Sequence, residues 1–436
     1  MRWLQPGRRS WRRGSCSRRW PERIAPGTVV PQLAGAIDLL PTLAGLAGVD
    51  VGAVKPLDSV LDTAAVSGAM IPGELEAGVM SDGQLYGLLT SMNVKGLVWY
   101  PKAAWEANGY TVPATLDDLK ALTKEMASAG QTPWCNGIES GGATGWPATD
   151  WMENLVMRQA GVEAYQKWVK GDIKFDSPEF RNAAKYFEDL FFTDENVNGG
   201  RAAIAATSFG DASKGLFTDA AKPACMMYMQ GSFITGFFPE DVQADLDNKV
   251  GVFGLPSADG NPAPVEGGDD LSVLMTDNPA AAQVLNMFTD PSVGIPAAAA
   301  SSYLSPYKTF DIANYPGKIT QDVANIAYGA SYFLFDGSDA MPAEVGAGTF
   351  WSDMTSWIAG DEYSIADMAS YPWVVGWKNQ GQNIDDFPHL KRWFEAIKAR
   401  PATVRAYEKA KAINTAPTVS EDAKKLLFGQ TAANVK

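Results

Sequence analysis

The chain has 436 residues, of which 46% are hydrophobic and 20% charged, with a formal net charge of −14. That length accommodates two large lobes, or two to three domains of ordinary size, and no uncharged apolar run approaches the roughly 20 residues needed to span a bilayer as a helix. The acidic body repels phosphate and excludes nucleic acid as its partner. The one basic stretch is the head, where Arg2, Arg8, Arg9, Arg12, Arg13, Arg18, Arg19 and Arg23 stand against Glu22.

That head does not read as an intact secretory signal, because its basic start runs into Pro21, Glu22 and Pro26 instead of roughly 7–15 apolar residues. The apolar run Leu33 to Val49 predicts a single helix. From about Lys55 to Gly360, short β-like runs alternate with well-signalled helices, the pattern of an α/β protein. Thr115 and Asp118 form a capping box that predicts a helix over 116–129. Ser177-Pro178-Glu179 starts another, with Phe180, Ala184, Phe187 and Phe191 on a core-facing stripe. Asp277-Asn278-Pro279 starts a third, with Val284, Leu285 and Phe288 as its buried face. The Gly-rich Glu266 to Asp270 reads as a turn. From Glu362 the strand signal vanishes: Ser364 to Asp367 is a capping box, and Leu390, Trp393, Phe394 and Ile397 recur at helical spacing.

Catalytic motifs are scarce. His389 is the only histidine and stands at the start of a tail helix, where a surface or helix-start role outweighs catalysis. No Gly-rich turn leads into the Lys-Ser/Thr of a phosphate-binding loop. The cysteines Cys16, Cys135 and Cys225 are too far apart in sequence for a metal or redox motif, although a bond between Cys135 and Cys225 would close a loop of about 90 residues in an oxidising compartment. Carboxylates are plentiful, so a glycosidase pair stands as a rival reading. The positive signal is aromatic. Gly137 to Trp151 mixes Trp146 and Trp151 with acids, hydroxyls and glycines, and Asp336 to Trp351 repeats the mixture. Sugars present an apolar C–H face that stacks on indole and a rim of hydroxyls that needs carboxylate or amide partners.

The stretches Asn93 to Lys102, Thr132 to Ser140, Thr144 to Trp151, Thr207 to Asp211 and Asp336 to Trp351, in that order, resemble the extracellular solute-binding proteins of ABC sugar importers, closest to the α-glucoside branch. The resemblance implies two α/β lobes joined by a hinge that close on an oligosaccharide, delivery to the membrane subunits of an ABC permease, a periplasmic or extracellular location, a monomer, and no reaction, cofactor or metal. It implies a ligand site drawn from Glu139, Trp146, Asp150, Trp151, Tyr228, Gln230, Asp339, Phe350 and Trp351, and a disulfide between Cys135 and Cys225.

The resemblance resumes only near Lys55, so the first lobe is expected to be incomplete. The preceding Pro21 to Val49 is similar to a fragment of a sulfatase C-terminal region, without that family's metal and formylglycine sites. Tyr363 to Ala369, Tyr371 to Trp373 and Phe387 to Pro401 resemble the C-terminal helical half of bacterial glutathione S-transferases, whose thiol-binding half has no counterpart here. The expected organisation is a head over 1–50, a two-lobed binding region over 51–360 and an all-helical segment over 361–436. The rival functions are a glutathione transferase-like enzyme and a fusion with no specific ligand.

Overall fold

The computed structural model describes residues 54–413, apart from 80–82, 269–270, 361–369, 373 and 379–382. Cys16, the expected helix over 33–49 and the capping box at 364–367 lie outside those residues, as does the side chain of His389. Two compact units emerge, one spanning Val54–Ile397 and the other containing the chain from Lys398 onward.

In chain order the larger unit contains α1 (Thr63–Ala69), β1 (Gly87–Leu89), β2 (Asn93–Val94), β3 (Leu97–Pro101), α2 (Leu116–Ser128), α3 (Trp146–Ala160), α4 (Val162–Val169) and α5 (Pro178–Phe191). It continues with β4 (Tyr228–Gln230), β5 (Val250–Gly254), β6 (Val265–Gly268), β7 (Leu271–Val273), α6 (Pro279–Met287), α7 (Lys318–Tyr328), β8 (Phe333–Phe335), α8 (Trp351–Ala359) and α9 (Pro388–Lys398). In the other unit α10 spans Pro401–Ile413.

The strands form three small sheets. β3 is central in an antiparallel sheet of order β4-β3-β5, β6 lies between β2 and parallel β8, and β1 pairs with β7 alone. The sheets share three apolar cores: β4-β3-β5 and β2-β6-β8 each border two of them, and β1-β7 borders the third. The largest gathers α2, α3 and α5 around Trp134, Trp151, Phe187 and Phe191. A second joins Leu97, Trp99 and Tyr228 to α7 through Ile319 and Val323, and the smallest holds Leu57, Leu88, Leu274 and Leu285 beside β1 and β7. The α/β architecture followed by helices is therefore present.

The local helix signals translate directly. Thr115 Oγ1 accepts from the Asp118 amide at 3.1 Å while Asp118 Oδ2 accepts from the Thr115 amide at 3.0 Å, and Ser177 Oγ accepts from Phe180 N at 3.3 Å. Phe187 and Phe191 are fully buried, while Phe180 and Ala184 sit half-buried at the edge of the stripe. In the tail, Phe394 and Ile397 are buried but Leu390 is exposed, and Tyr371 stacks on Phe394 at 5.2 Å.

Two expectations fail. Glu266 to Gly268 is not a turn but the middle strand of its sheet, and its glycine is a packing requirement: a Cβ on Gly267 would lie 2.4 Å from the Phe333 ring and 2.6 Å from the Asn93 carbonyl. On α6 only Leu285 is buried; Val284 and Phe288 are 55% and 38% exposed, because the helix meets the small core beside β1 and β7 through Ala281, Ala282 and Leu285.

Glu74 is wholly buried. Its Oε2 accepts from the Ile71 amide at 3.0 Å, and its Oε1 has no hydrogen-bond partner among the described residues. Burial pushes the carboxyl up to about 8, against the pull of the Ile71 amide. A carboxyl raised in the folded state binds more protons there than in the unfolded chain, so its stabilisation is complete below the unfolded value near 4.5 and is lost as pH climbs toward 8. Glu74→Gln is expected to remove up to about 1.4 kcal/mol of stability loss per pH unit across that window. Thermal melts at pH 5, 6, 7 and 8 check this; parallel curves for variant and wild type would refute it.

Candidate functional site

α3 organises the site. Helices on protein surfaces bury one stripe and expose the other, yet every residue from Pro147 to Arg158 is buried here. One face, with Trp151, Met152, Leu155 and Val156, enters the large core. The other carries Asp150, Glu153, Asn154 and Arg158 at helical spacing, and these polar groups meet partners inside the protein. The helix begins at Gly145, whose φ of 115° suits glycine and whose missing side chain matters: a Cβ there would approach the Trp351 carbonyl to 2.3 Å.

Lys95 answers the acidic stripe. It lies at the crossover between β2 and β3, with its amide bonded to the Glu266 carbonyl at 2.8 Å. Its Nζ donates to Asp150 Oδ1 at 2.9 Å and to Asp336, and Glu266 Oε1 stands 3.8 Å away. Burial alone would weaken its hold on the proton, but Asp150, Asp336, Glu266 and Glu153 together outweigh that and hold the ammonium well above the lysine range. Asp336 is held below the ordinary carboxylate range: burial opposes ionisation, and the Lys95 ammonium overcomes it, helped by the Asp339 amide and the Ser338 hydroxyl. Burial dominates at Asp150 and pushes it up to about 7 despite Lys95. Glu153 is driven well above its usual range by burial and by Asp336 and Asp150, and Glu266 by burial and by Glu153 and Asp150.

The remaining bonds complete the network. Glu153 accepts from Tyr165 Oη at 3.1 Å, from Ser338 N at 3.2 Å and from Gly337 N. Asn154 Nδ2 donates to Glu266, and Arg158 reaches Asn154 Oδ1 at 2.6 Å and the Leu255 carbonyl at 2.8 Å. Asp336 caps the helical turn Gly337–Ala340, accepting from Asp339 N at 3.1 Å. Oxygens of Asp150, Glu153 and Asp336 lie within 4.8 Å of one another, a spacing suited to a divalent ion, but Asp150 and Asp336 are already paired with the Lys95 ammonium.

Beside this network stands an aromatic surface. Trp146, at the first position of α3, packs edge-on to Phe209 at 5.1 Å and tilts against Phe233 at 5.9 Å, with Lys95 Nζ 5.3 Å from its ring centre. Phe237 extends the cluster at 5.1 Å from Phe209 and is 43% exposed. Trp146, Phe209 and Phe233 are each half-buried, so ring surface remains open next to charged and hydroxyl groups. The first turns of α3, of Phe209–Ala212 and of Ser232–Phe237 all start at this cluster.

Of the residues singled out from sequence, Trp146 and Asp150 share one face of α3 and belong here. Glu139 is joined to this region through its carbonyl, which accepts from Phe209 N at 3.1 Å, and its carboxylate accepts from Gly141 N at 2.7 Å. Trp351 is half-buried and donates from Nε1 to Ser338 Oγ at 3.3 Å, while Asp339 is exposed on the turn that Asp336 caps. Tyr228 and Gln230 lie behind the aromatic surface. Both are buried; Tyr228 Oη donates to the Phe209 carbonyl at 2.7 Å and accepts from Gln230 Nε2 at 3.3 Å, so they hold Phe209 in place.

Trp151 and Phe350 are corrections. Trp151 is 2% exposed and packed against Trp134 and Phe191 at 5.4 and 5.0 Å. Phe350 turns into Trp168, Phe175 and Phe180 and lines an apolar cavity of about 610 Å³ that neither Trp146 nor Trp351 touches. Sequence reasoning did not single out Lys95, Phe209, Phe233 or Phe237. Cys135 and Cys225 are joined as a disulfide, with Cα atoms 5.3 Å apart.

Among the described residues no helix is long and apolar enough to cross a membrane. The sequence profile of the bacterial extracellular solute-binding proteins matches residues 30–295, and that of the glutathione S-transferase C-terminal domain matches residues 350–401. The chain is 38% identical over 312 residues to the osmoprotective compounds-binding protein GgtB of Synechocystis, spanning 71% of this chain and 72% of that one. It is 40% identical over 293 residues to the alpha-glucosides-binding periplasmic protein AglE of Rhizobium meliloti, spanning 66% of this chain and 62% of AglE. The bacterial solute receptor AcbH superposes with a TM-score of 0.59 at 18% identity, over 72% of this chain and 76% of its own. More than half of the chain matches the first profile, and the fold matches a solved receptor: the protein belongs to the bacterial extracellular solute-binding proteins.

Proposed function

We propose that this protein is a receptor that binds an α-glucoside or related oligosaccharide beside Trp146 and passes it to an ABC permease without chemical change. The observation that carries the reading is the half-open ring surface of Trp146, Phe209 and Phe233 set against Lys95, Asp150 and Asp336. A pyranose laid on those rings places its C–H face on carbon and its hydroxyls within reach of polar groups. Trp351 and Glu139 supply further indole and carboxylate at the edges. The names of GgtB and AglE, receptors for osmoprotective compounds and for α-glucosides, support the ligand class.

Catalysis has no support in this geometry. A glycosidase needs one carboxyl free to donate and another free to attack, whereas Asp150 and Asp336 are both bound to Lys95 and Glu153 accepts three donors. The transferase likeness covers part of a C-terminal domain only. The receptor region extends over 51–360, with 1–50 as a head and 361–436 as a helical appendage, and the protein acts as a monomer outside the cytoplasm.

Isothermal titration with maltose, trehalose and sucrose tests the reading: at least one sugar gives saturable heat, and flat heats for all three from folded protein would overturn it. Trp146→Ala lowers that affinity at least about tenfold, or about 1.4 kcal/mol, with little change in the thermal midpoint. Trp151→Ala does the opposite, costing about 3–5 kcal/mol of stability by opening a cavity in the core; chemical denaturation measures it.

A further inference from the structure

We propose that Lys95 is the positioning residue of this site: its ammonium, bound by Asp150 on α3 and Asp336 at the head of the Gly337 turn, fixes the plane of the Trp146 ring. The inference rests on the sugar-binding reading for its purpose, but not for its geometry. An ammonium has three N–H bonds. Two go to Asp150 and Asp336, while Glu266 Oε1, at 3.8 Å, is beyond hydrogen-bond distance. Two of the three donors of Lys95 are thus committed to carboxylates, and its side chain is only 12% exposed, so its contact with a ligand is limited.

What it offers the site is placement. The ammonium lies 5.3 Å from the Trp146 ring centre, within the range of a cation–π contact. Its main chain is fixed on both sides: its amide is bonded to Glu266, and Gly96 follows at φ 70°, where a Cβ would come within 2.1 Å of Asn154 Oδ1. The charge therefore has one place to be, and it connects three chain segments, the β2–β3 crossover, α3 and the turn that leads to Trp351. Trp146 is held by Phe209 and Phe233 on its edges and by Lys95 over its face.

The charged and titratable groups facing Lys95 are Asp150 and Glu153 from α3, Glu266 from β6, and Asp336 and Asp339 from the Gly337 turn. Because burial brings Asp150 to about 7, the fixation should depend on pH near neutrality, tightening as Asp150 ionises.

The test compares wild type, Lys95→Arg and the double variant Lys95→Met/Asp336→Asn, which removes a charge of each sign together and leaves Asp150 to take up a proton in its buried site. Acrylamide quenching of Trp146, taken as the difference from Trp146→Phe in each background, is measured without sugar from pH 6 to 8. Alongside it, titrations with maltose, trehalose and sucrose give affinity. The expected result is at least twofold greater Trp146 quenching in the double variant, with the pH dependence gone, and at least tenfold weaker sugar binding; Lys95→Arg stays within about threefold of wild type. Unchanged quenching overturns the inference, even if affinity falls, since Lys95 would then act on the ligand directly. If no sugar binds wild type, the sugar-binding reading fails, while the sugar-free quenching still decides the role of Lys95.

Discussion

One buried ammonium governs this structure. α3 carries four polar side chains on a face that never reaches water, and burying charge without partners is costly. Lys95 meets the carboxylates, Asn154 and Arg158 continue the chain of contacts to Glu266 and Leu255, and the backbone amides of the Gly337 turn reach Glu153. A helix buried on all sides can therefore stand between an apolar core and the aromatic cluster of Trp146, Phe209 and Phe233. The same network determines which carboxyls carry charge: Asp336 keeps its own through Lys95, whereas Glu153 and Glu266 are driven toward the neutral form. Polar groups in this protein centre act as a frame, and the half-buried rings of Trp146, Phe209 and Phe233 stand beside them.

Helix starts were legible in the sequence because a cap is made by residues three positions apart. Thr115 with Asp118 and Ser177 with Phe180 needed no knowledge of the rest of the fold. The strand β6 was not legible: two glycines in Val265–Gly268 look like a turn until Phe333 and the Asn93 carbonyl are seen to need the space at Gly267. The buried face expected of α6 failed for a related reason, since a stripe of apolar residues states what could be covered and not whether a neighbour covers it.

The site was half legible. Aromatic and acidic residues do gather where the two mixed segments meet, but adjacent residues of a helix point about 100° apart. Trp146 and Asp150, one turn apart, face the site together, while Trp151 enters the core; Trp351 stays near Ser338, while Phe350 turns inward. Lys95 was missed because a single lysine inside an apolar run gives no sign that its partners lie 55 and 241 residues away. Phe209 and Phe233 were missed because lone phenylalanines in short turns look like ordinary packing residues.

The disulfide has a consequence for where such a site can be assembled. Cys135 precedes the segment that carries Glu139 and Trp146, and Cys225 precedes the strand that leads to Phe233; between them the Cys135 amide donates to the Met227 carbonyl at 2.8 Å. Opposite walls of the ring surface are thereby riveted to each other through sulfur at their base. Such a bond persists where thiols are oxidised, and without it the ring packing of Trp146, Phe209 and Phe233 and the main-chain contacts would have to keep those walls in register.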